Sequence, residues 1–135
     1  MNLNAARWIE LQNIVDSRGA LSVVNAGAIP FQPARVFFVY GVPGDSERAG
    51  HSHRTTHQFV VSLAGQFQLD LTDGVHTSTF TLSERTRGVY VPPMIWDRLY
   101  GFSADAVCLV LSSTAYNEAD YIRGWEEFLR LRKEM

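Results

Sequence analysis

The reading of the chain turns on residues 50–65, GHSHRTTHQFVVSLAG. The stretch opens with His51, Ser52 and His53. Alternate residues of a β-strand share a face, so an extended His51-Ser52-His53 projects two imidazoles into one space. His57 lies an even number of residues further on and joins that face if the strand runs unbroken. The apolar run Phe59-Val60-Val61-Ser62-Leu63 follows, rich in strand formers, and Gly65 marks a turn. Three of the four histidines fall within residues 51–57, a concentration that marks a candidate site. H-x-H also arises by chance in polar loops, so the motif gains its weight from its surroundings.

Beyond Gly65 the pattern stays strand-like. Residues 66–72 alternate cleanly, with Phe67, Leu69 and Leu71 on one face and Gln66, Gln68, Asp70 and Thr72 on the other. Asp73-Gly74 is a hairpin turn, and residues 75–82 form the returning strand. Arg87-Gly88 turns again, Val89-Tyr90-Val91 leads to Pro92-Pro93, a segment from Ile95 to Tyr100 follows, and residues 105–112 are the last strand. On the N-terminal side, RVFFVYGV at 35–42 is a strong strand of β-branched and aromatic residues, broken by Pro43 to Ser46. Residues 25–33 are loop-like, Leu21, Val23 and Val24 mark a short strand, and Asp16-Ser17-Arg18-Gly19 is a turn. Residues 7–15 read as one N-terminal strand.

The period changes after Tyr116. Tyr121, Ile122, Trp125, Phe128 and Leu129 recur at helical spacing, Asn117 can cap the start, and Glu126 and Arg130 form an i,i+4 pair. The spacing predicts a helix over about 117–132. Many short strands with frequent turns, ending in one C-terminal α-helix, predict an all-β sandwich or barrel.

With 135 residues the chain suffices for one domain with a real core and reads as a single domain over 1–135. A formal charge of −2 argues against a nucleic-acid partner. No apolar stretch reaches the roughly 18 residues of a membrane span, and residues 1–10 lack the apolar segment of a signal peptide, so no membrane partner and a cytoplasmic location are expected. The single cysteine, Cys108, sits in an apolar strand and is expected to be a packing residue.

H-x-H entering a strand, a turn near Gly65 and then Gly88 with Pro92 resemble the two motifs of the cupin superfamily. The chain is similar, over about residues 14–128, to one branch of it: the dTDP-sugar 3,4-ketoisomerases of bacterial surface-polysaccharide and deoxysugar pathways. The resemblance rests on Asp16 to Gly19, on Arg35-Val36-Phe37-Phe38, and on Arg48 ahead of His51 and His53. It also includes His57-Gln58, where that family usually has Glu-Gln, the run Gly88 to Pro92, Trp96, and the tail Asp120-Tyr121-Ile122-Arg123. It implies a cupin jelly-roll and a substrate of dTDP-4-keto-6-deoxy-glucose, whose carbonyl moves from C4 to C3. It further implies catalysis by His51 and His53, no metal or other cofactor, and a homodimer that exchanges N-terminal strands.

The residue types suit that chemistry. Moving a ketone to the neighbouring carbon passes through an enediol, and imidazole both accepts and donates protons near neutral pH. Two imidazoles on one face can divide the work between carbon and oxygen. The developing enediolate calls for positive charge, for which Arg48 is the nearest candidate. A diphosphate suits arginine, and Arg18, Arg35 and Arg98 are candidates. Tyr90 and Trp96 are candidates to line the sugar or stack on thymine, with core packing as their alternative role. Gln58, His57 and Asp97 complete the expected substrate pocket.

Other readings stay open on the sequence. His51, His53, His57 and Asp97 offer three imidazoles and a carboxylate, an acceptable ligand set for a metal-dependent cupin. A sugar-nucleotide-binding module without turnover and a 3,5-epimerase acting on the same sugar are the others.

Overall fold

The computed structural model describes residues 2–135. Short strands of alternating polarity form two sheets that pack face to face. The first sheet contains β1 (Arg7–Glu10), β4 (Arg35–Tyr40), β6 (Gln58–Ala64), β9 (Arg87–Val91) and β11 (Val107–Ser112) in the order β1-β9-β6-β11-β4. The second contains β5 (Arg48–His53), β7 (Phe67–Thr72), β8 (Thr77–Leu82), β10 (Trp96–Tyr100) and β12 (Tyr121–Ile122) in the order β12-β5-β10-β7-β8. All pairings are antiparallel. A separate hairpin, β2 (Gln12–Asp16) with β3 (Gly19–Val23), pairs only with itself among the described residues. This is the sandwich that the strand series predicts and the jelly-roll that the resemblance implies.

The core lies between the sheets. Phe67, Leu69 and Leu71 alternate inward from β7, and Val60, Val89, Val91, Cys108 and Val110 meet them from the first sheet. Cys108 is fully buried there, the packing role its sequence context implies. The sheet of β6 is covered on its outer face too, because Ile29, Phe31 and Val24 fold over Phe59, Val61 and Leu111. That double coverage explains the unbroken apolar run of β6, which lacks the alternation of a half-exposed strand. The hairpin at Asp73-Gly74 forms as read: Asp73 Oδ1 accepts from the amides of Val75 and His76, and Gly74 takes a φ of 96°.

Three boundaries differ from the sequence reading. The N-terminal strand is two strands that break at Leu11, whose side chain turns into the outer cluster with Ile9. The helix, α1, spans Trp125–Lys133 instead of 117–132. Asn117 does cap, but it caps a single 3-10 turn over Glu118–Asp120, and Tyr121 and Ile122 then pair with β5. The helical spacing of Tyr121 and Ile122 with Trp125 and Phe128 is therefore an accident of a strand running into a helix. The i,i+4 ion pair on α1 joins Arg130 to Glu134, not Glu126 to Arg130.

Candidate active site

A cavity of about 500 Å³ opens between the two sheets at the end where β5 and β10 face β4 and β6. Strand parity decides what enters it. On β10, Asp97 and Leu99 point inward while Trp96 and Arg98 point out. Arg35, Phe37 and Val39 of β4 and Gln58 and Val60 of β6 form the opposite wall. On β5, Arg48 and His51 both reach the cavity although they stand an odd three positions apart. Gly50, at a φ of 84°, accommodates a bulge against β10 that re-aims the strand.

His51 and His53 sit together as the H-x-H spacing requires, with ring centroids 5.1 Å apart and planes nearly perpendicular. Tyr121 packs against both, 5.0 Å from the His51 ring and 4.4 Å from that of His53. Each histidine faces its own carboxylate. His53 Nδ1 lies 3.1 Å from Asp120 Oδ2. His51 Nε2 lies 3.8 Å from Asp97 Oδ2, across the β5–β10 register.

The Asp120 carboxylate is heavily tied. It accepts from the amide and hydroxyl of Thr55 at 2.8 and 2.7 Å, from the amide of Thr56 at 3.2 Å, and from the Thr56 hydroxyl. Burial raises its pKa, but the hydrogen bonds from Thr56, Thr55 and His53 outweigh that and hold it below the usual carboxylate range. An ionised carboxylate only accepts, so His53 Nδ1 carries the proton and donates it, leaving Nε2 as the basic nitrogen. Burial also lowers the His53 imidazole against the pull of Asp120, which keeps the ring neutral at neutral pH. Among the described residues, His53 Nε2 has no hydrogen-bond partner.

Asp97 is the opposite case. Its side chain is about one-tenth exposed, and among the described residues its Oδ1 has no partner. Burial pushes the carboxyl up to about 6, against the opposing effect of His51. Burial also lowers the His51 imidazole, partly offset by Asp97.

Of the expected site residues, His51, Arg35, Arg48, Gln58 and Asp97 line the cavity, and His53 lies directly beside it. The others lie elsewhere in the chain. The strand does not run unbroken past His53, so His57 is not on the His51 face. Its Nδ1 is 2.7 Å from the Tyr90 hydroxyl, and its ring stacks on Phe31 and Tyr90 at the outer face of the first sheet. Tyr90 pairs in register with Phe59, on the face opposite Val89 and Val91. Trp96 is half-buried and packs edge-on against Trp125 and near Phe128 of α1. Arg98 is held outside by Glu47 and Asp70 at 3.1 and 3.2 Å. Arg18, at the tip of the β2–β3 hairpin, bridges Asp16 at 2.7 Å. Parity explains Trp96, Arg98 and Tyr90, since each sits one residue out of phase with a residue that faces the sandwich interior.

The four-residue metal set fails on the same geometry, because His57 is turned away from the other three. Among the described residues, no three histidine, cysteine or carboxylate groups are placed to hold a metal ion.

Sequence reasoning used Asp120, Tyr121 and Arg123 for the family resemblance and Tyr121 for the helix, but placed none of them in the site. Arg123 lies over the Tyr121 ring at 4.3 Å, pairs with Glu118 at 2.6 Å, and lines the cavity. The available signal was the tail motif itself: a carboxylate and an aromatic beside a two-residue strand that pairs with the histidines. The helical reading of that segment hid it.

A jelly-roll sandwich with two histidines and their carboxylates beside an inter-sheet cavity is the architecture of a cupin. The chain belongs to the family described as FdtA: WxcM-like, C-terminal, whose model matches residues 4–133. It is 36% identical over 121 residues, 89% of this chain and 87% of the relative, to the TDP-4-oxo-6-deoxy-alpha-D-glucose-3,4-oxoisomerase of Aneurinibacillus thermoaerophilus. Its structure is similar to a mutant of the 3,4-ketoisomerase QdtA from Thermoanaerobacterium thermosaccharolyticum, solved in complex with TDP-4-keto-6-deoxyglucose. The TM-score is 0.94 at 30% identity, over 99% of this chain and 97% of that one. WlaRA, a TDP-fucose-3,4-ketoisomerase from Campylobacter jejuni, gives a TM-score of 0.91 at 28% identity, over 96% and 97%.

Proposed function

We propose that the protein is a 3,4-ketoisomerase of TDP-4-keto-6-deoxyglucose, moving the carbonyl from C4 to C3 through an enediol by histidine acid–base catalysis. The observation that carries this reading is the pair of neighbouring imidazoles, each facing its own carboxylate, at a cavity whose far wall is Arg35 and Gln58. The isomerisation needs one proton transferred at carbon and one at oxygen in each half of the reaction, and two separately partnered histidines provide two sites for them. Arg35, Arg48 and Arg123 at the cavity supply the positive charge that a diphosphate and a developing enediolate both attract. The relatives named above support the substrate class. NMR of the product formed from TDP-4-keto-6-deoxyglucose tests the reading. A 3-keto sugar is expected; a recovered 4-ketone, or one inverted at C3 or C5, refutes it.

The same reading includes a homodimer that exchanges N-terminal strands. Its support is an apolar surface that no element among the described residues covers: Val36, Phe38 and Tyr40 on β4, and Ile14, Val15 and Leu21 on the hairpin, are all exposed. Light scattering at micromolar concentration is expected to give twice the chain mass, and a monomer refutes it. No helix among the described residues is long and apolar enough to cross a membrane.

A further inference from the structure

Met94 holds a backbone conformation that a residue with a side chain disfavours. Among the described residues it is the one non-glycine in the left-handed region, at a φ of 62°. A turn over Pro93 and Met94 carries the chain from β9 into β10, and a left-handed turn residue is ordinarily glycine or asparagine. A bulkier residue persists there only where its surroundings over-determine it, and such sites cluster at functional centres.

Two hydrogen bonds provide that determination. The Met94 amide donates to the carbonyl of His53 at 2.7 Å, and the Met94 carbonyl accepts from Nη1 of Arg132 at 3.1 Å. The dihedrals of Met94 set the angle between the peptide plane that carries its N–H and the plane that carries its C=O. A right-handed backbone at this residue turns one of the two away from its partner. His53 is the last residue of β5, and Arg132 lies in the last turn of α1. The helix is in turn anchored to the start of β10 by Trp125 and Phe128 against Trp96. The β5–β10 ladder reaches only as far as His51, opposite Asp97, so the Met94 bond extends the hold on β5 by two residues. On the other edge of β5, Tyr121 pairs in register with the same His53.

We propose that Met94 is a positioning residue for His53. Arg132 holds Met94 left-handed, and the Met94 amide fixes the His53 main chain so that its ring stays 3.1 Å from Asp120. The effect on turnover rests on the ketoisomerase reading; the effect on the imidazole does not. Losing the hold leaves Arg35, Arg48 and Arg123 at the cavity and disturbs only the alignment of the ring, so the deficit falls on kcat and not on KM.

The test uses Arg132→Met, Arg132→Lys, Met94→Ala and Met94→Gly in the full chain. It reads kinetics on TDP-4-keto-6-deoxyglucose, thermal melts, and NMR of the His53 ring in the substrate-free proteins. In the wild type the Met94 amide is expected to exchange slowly, because it is bonded to the main chain of a buried residue. Exchange as fast as that of an exposed turn overturns the proposal, and that measurement needs no variant to fold. In Arg132→Met, kcat is expected to fall about ten-fold with KM within about two-fold, and the His53 Nδ1–H resonance should shift or broaden. Arg132→Lys keeps a donor and should recover most of kcat and the wild-type resonance. Met94→Ala and Met94→Gly lose nearly the same side chain but differ in their tolerance of a positive φ. The glycine variant should melt about 3 °C or more above the alanine variant. It should also turn over about three- to ten-fold more slowly, because glycine frees the turn. A residue that serves stability alone does not move melting and turnover in opposite directions. An Arg132→Met protein with wild-type kcat and an unmoved His53 resonance refutes the proposal whatever its Tm. So does a glycine variant that melts no higher than the alanine one. If the wild type does not isomerise the sugar, the ketoisomerase reading fails, while the exchange and resonance measurements still decide the role of Met94.

Discussion

His53 and His51 stand two residues apart on β5 and each faces a carboxylate, yet the two carboxylates are held in opposite ways. Asp120 is stabilised as an anion by two amides, two hydroxyls and the His53 ring. Asp97 keeps one oxygen unpartnered and is pushed up to about 6 by burial. The difference teaches that a buried acid beside a histidine can be held in two distinct states. The fully satisfied one is stabilised as an anion and fixes the tautomer of its histidine. The poorly satisfied one is pushed toward its protonated form by burial.

The comparison breaks most visibly at the histidines. His53→Asn is expected to lower turnover about a hundred- to ten-thousand-fold, with TDP binding nearly intact, because the arginines that line the cavity remain. His51→Asn should do nearly the same. Steady-state kinetics and calorimetric TDP titration read both effects, and full activity in His53→Asn removes catalysis from this strand.

The carboxylates sharpen the comparison through stability, with opposite signs. Asp120 has a folded pKa below its ordinary value, so its contribution is present above the ordinary carboxylate range and is lost as pH falls through the folded value. Asp120→Asn is expected to cost about 2–4 kcal/mol at neutral pH, since it weakens several charge-assisted hydrogen bonds at once. That deficit should shrink in acid. Asp97 has a folded value raised to about 6, so its carboxyl favours the folded state most in acid, and that advantage is lost as pH rises through about 6. Keeping it ionised in the folded state costs on the order of 2–3 kcal/mol. Asp97→Asn is therefore expected to raise Tm by a few degrees above neutral pH and to lose that gain near pH ~4. Thermal melts across pH check both, and the same sign for both variants refutes the contrast.

Much of this was legible in the chain, for physical reasons that differ by residue. The alternation of Phe67, Leu69 and Leu71 has one structural solution, a half-buried strand, and it forms. The H-x-H spacing placed His51 and His53 together because two residues along a strand is one full period. Parity across a break was not legible. Residues 54–57 bend between β5 and β6, so even spacing carried His57 to a different face. Trp96 and Arg98 flank Asp97, and a sequence without register does not say which of three neighbours points inward. The Asp120–Tyr121–Arg123 segment was hidden by a long-range effect, since its pairing with β5 spans more than sixty residues of chain and overrode a local helical pattern.

The smallest expected effect concerns His57, which the sequence reading joined to His51 and His53 and the structure separates from them. His57 is bonded to Tyr90 and stacked on Phe31, outside the cavity. If the site is the cavity described, His57→Gln should leave kcat within about two-fold, far below the loss expected for an acid or base. Its cost should appear as stability instead: the lost hydrogen bond and ring contacts are worth about 1 kcal/mol, a fall of roughly 3–4 °C in Tm. The pH dependence has a definite sign. Burial lowers the His57 pKa, so the unfolded chain takes up the proton first as pH falls, and the wild-type contribution is lost below the ordinary histidine range. Glutamine does not titrate, so the gap between the two proteins should narrow from pH ~8 to pH ~5. A large loss of turnover in His57→Gln, accompanied by loss of bound metal, would instead bring His57 back beside His51 and restore the metal-dependent alternative.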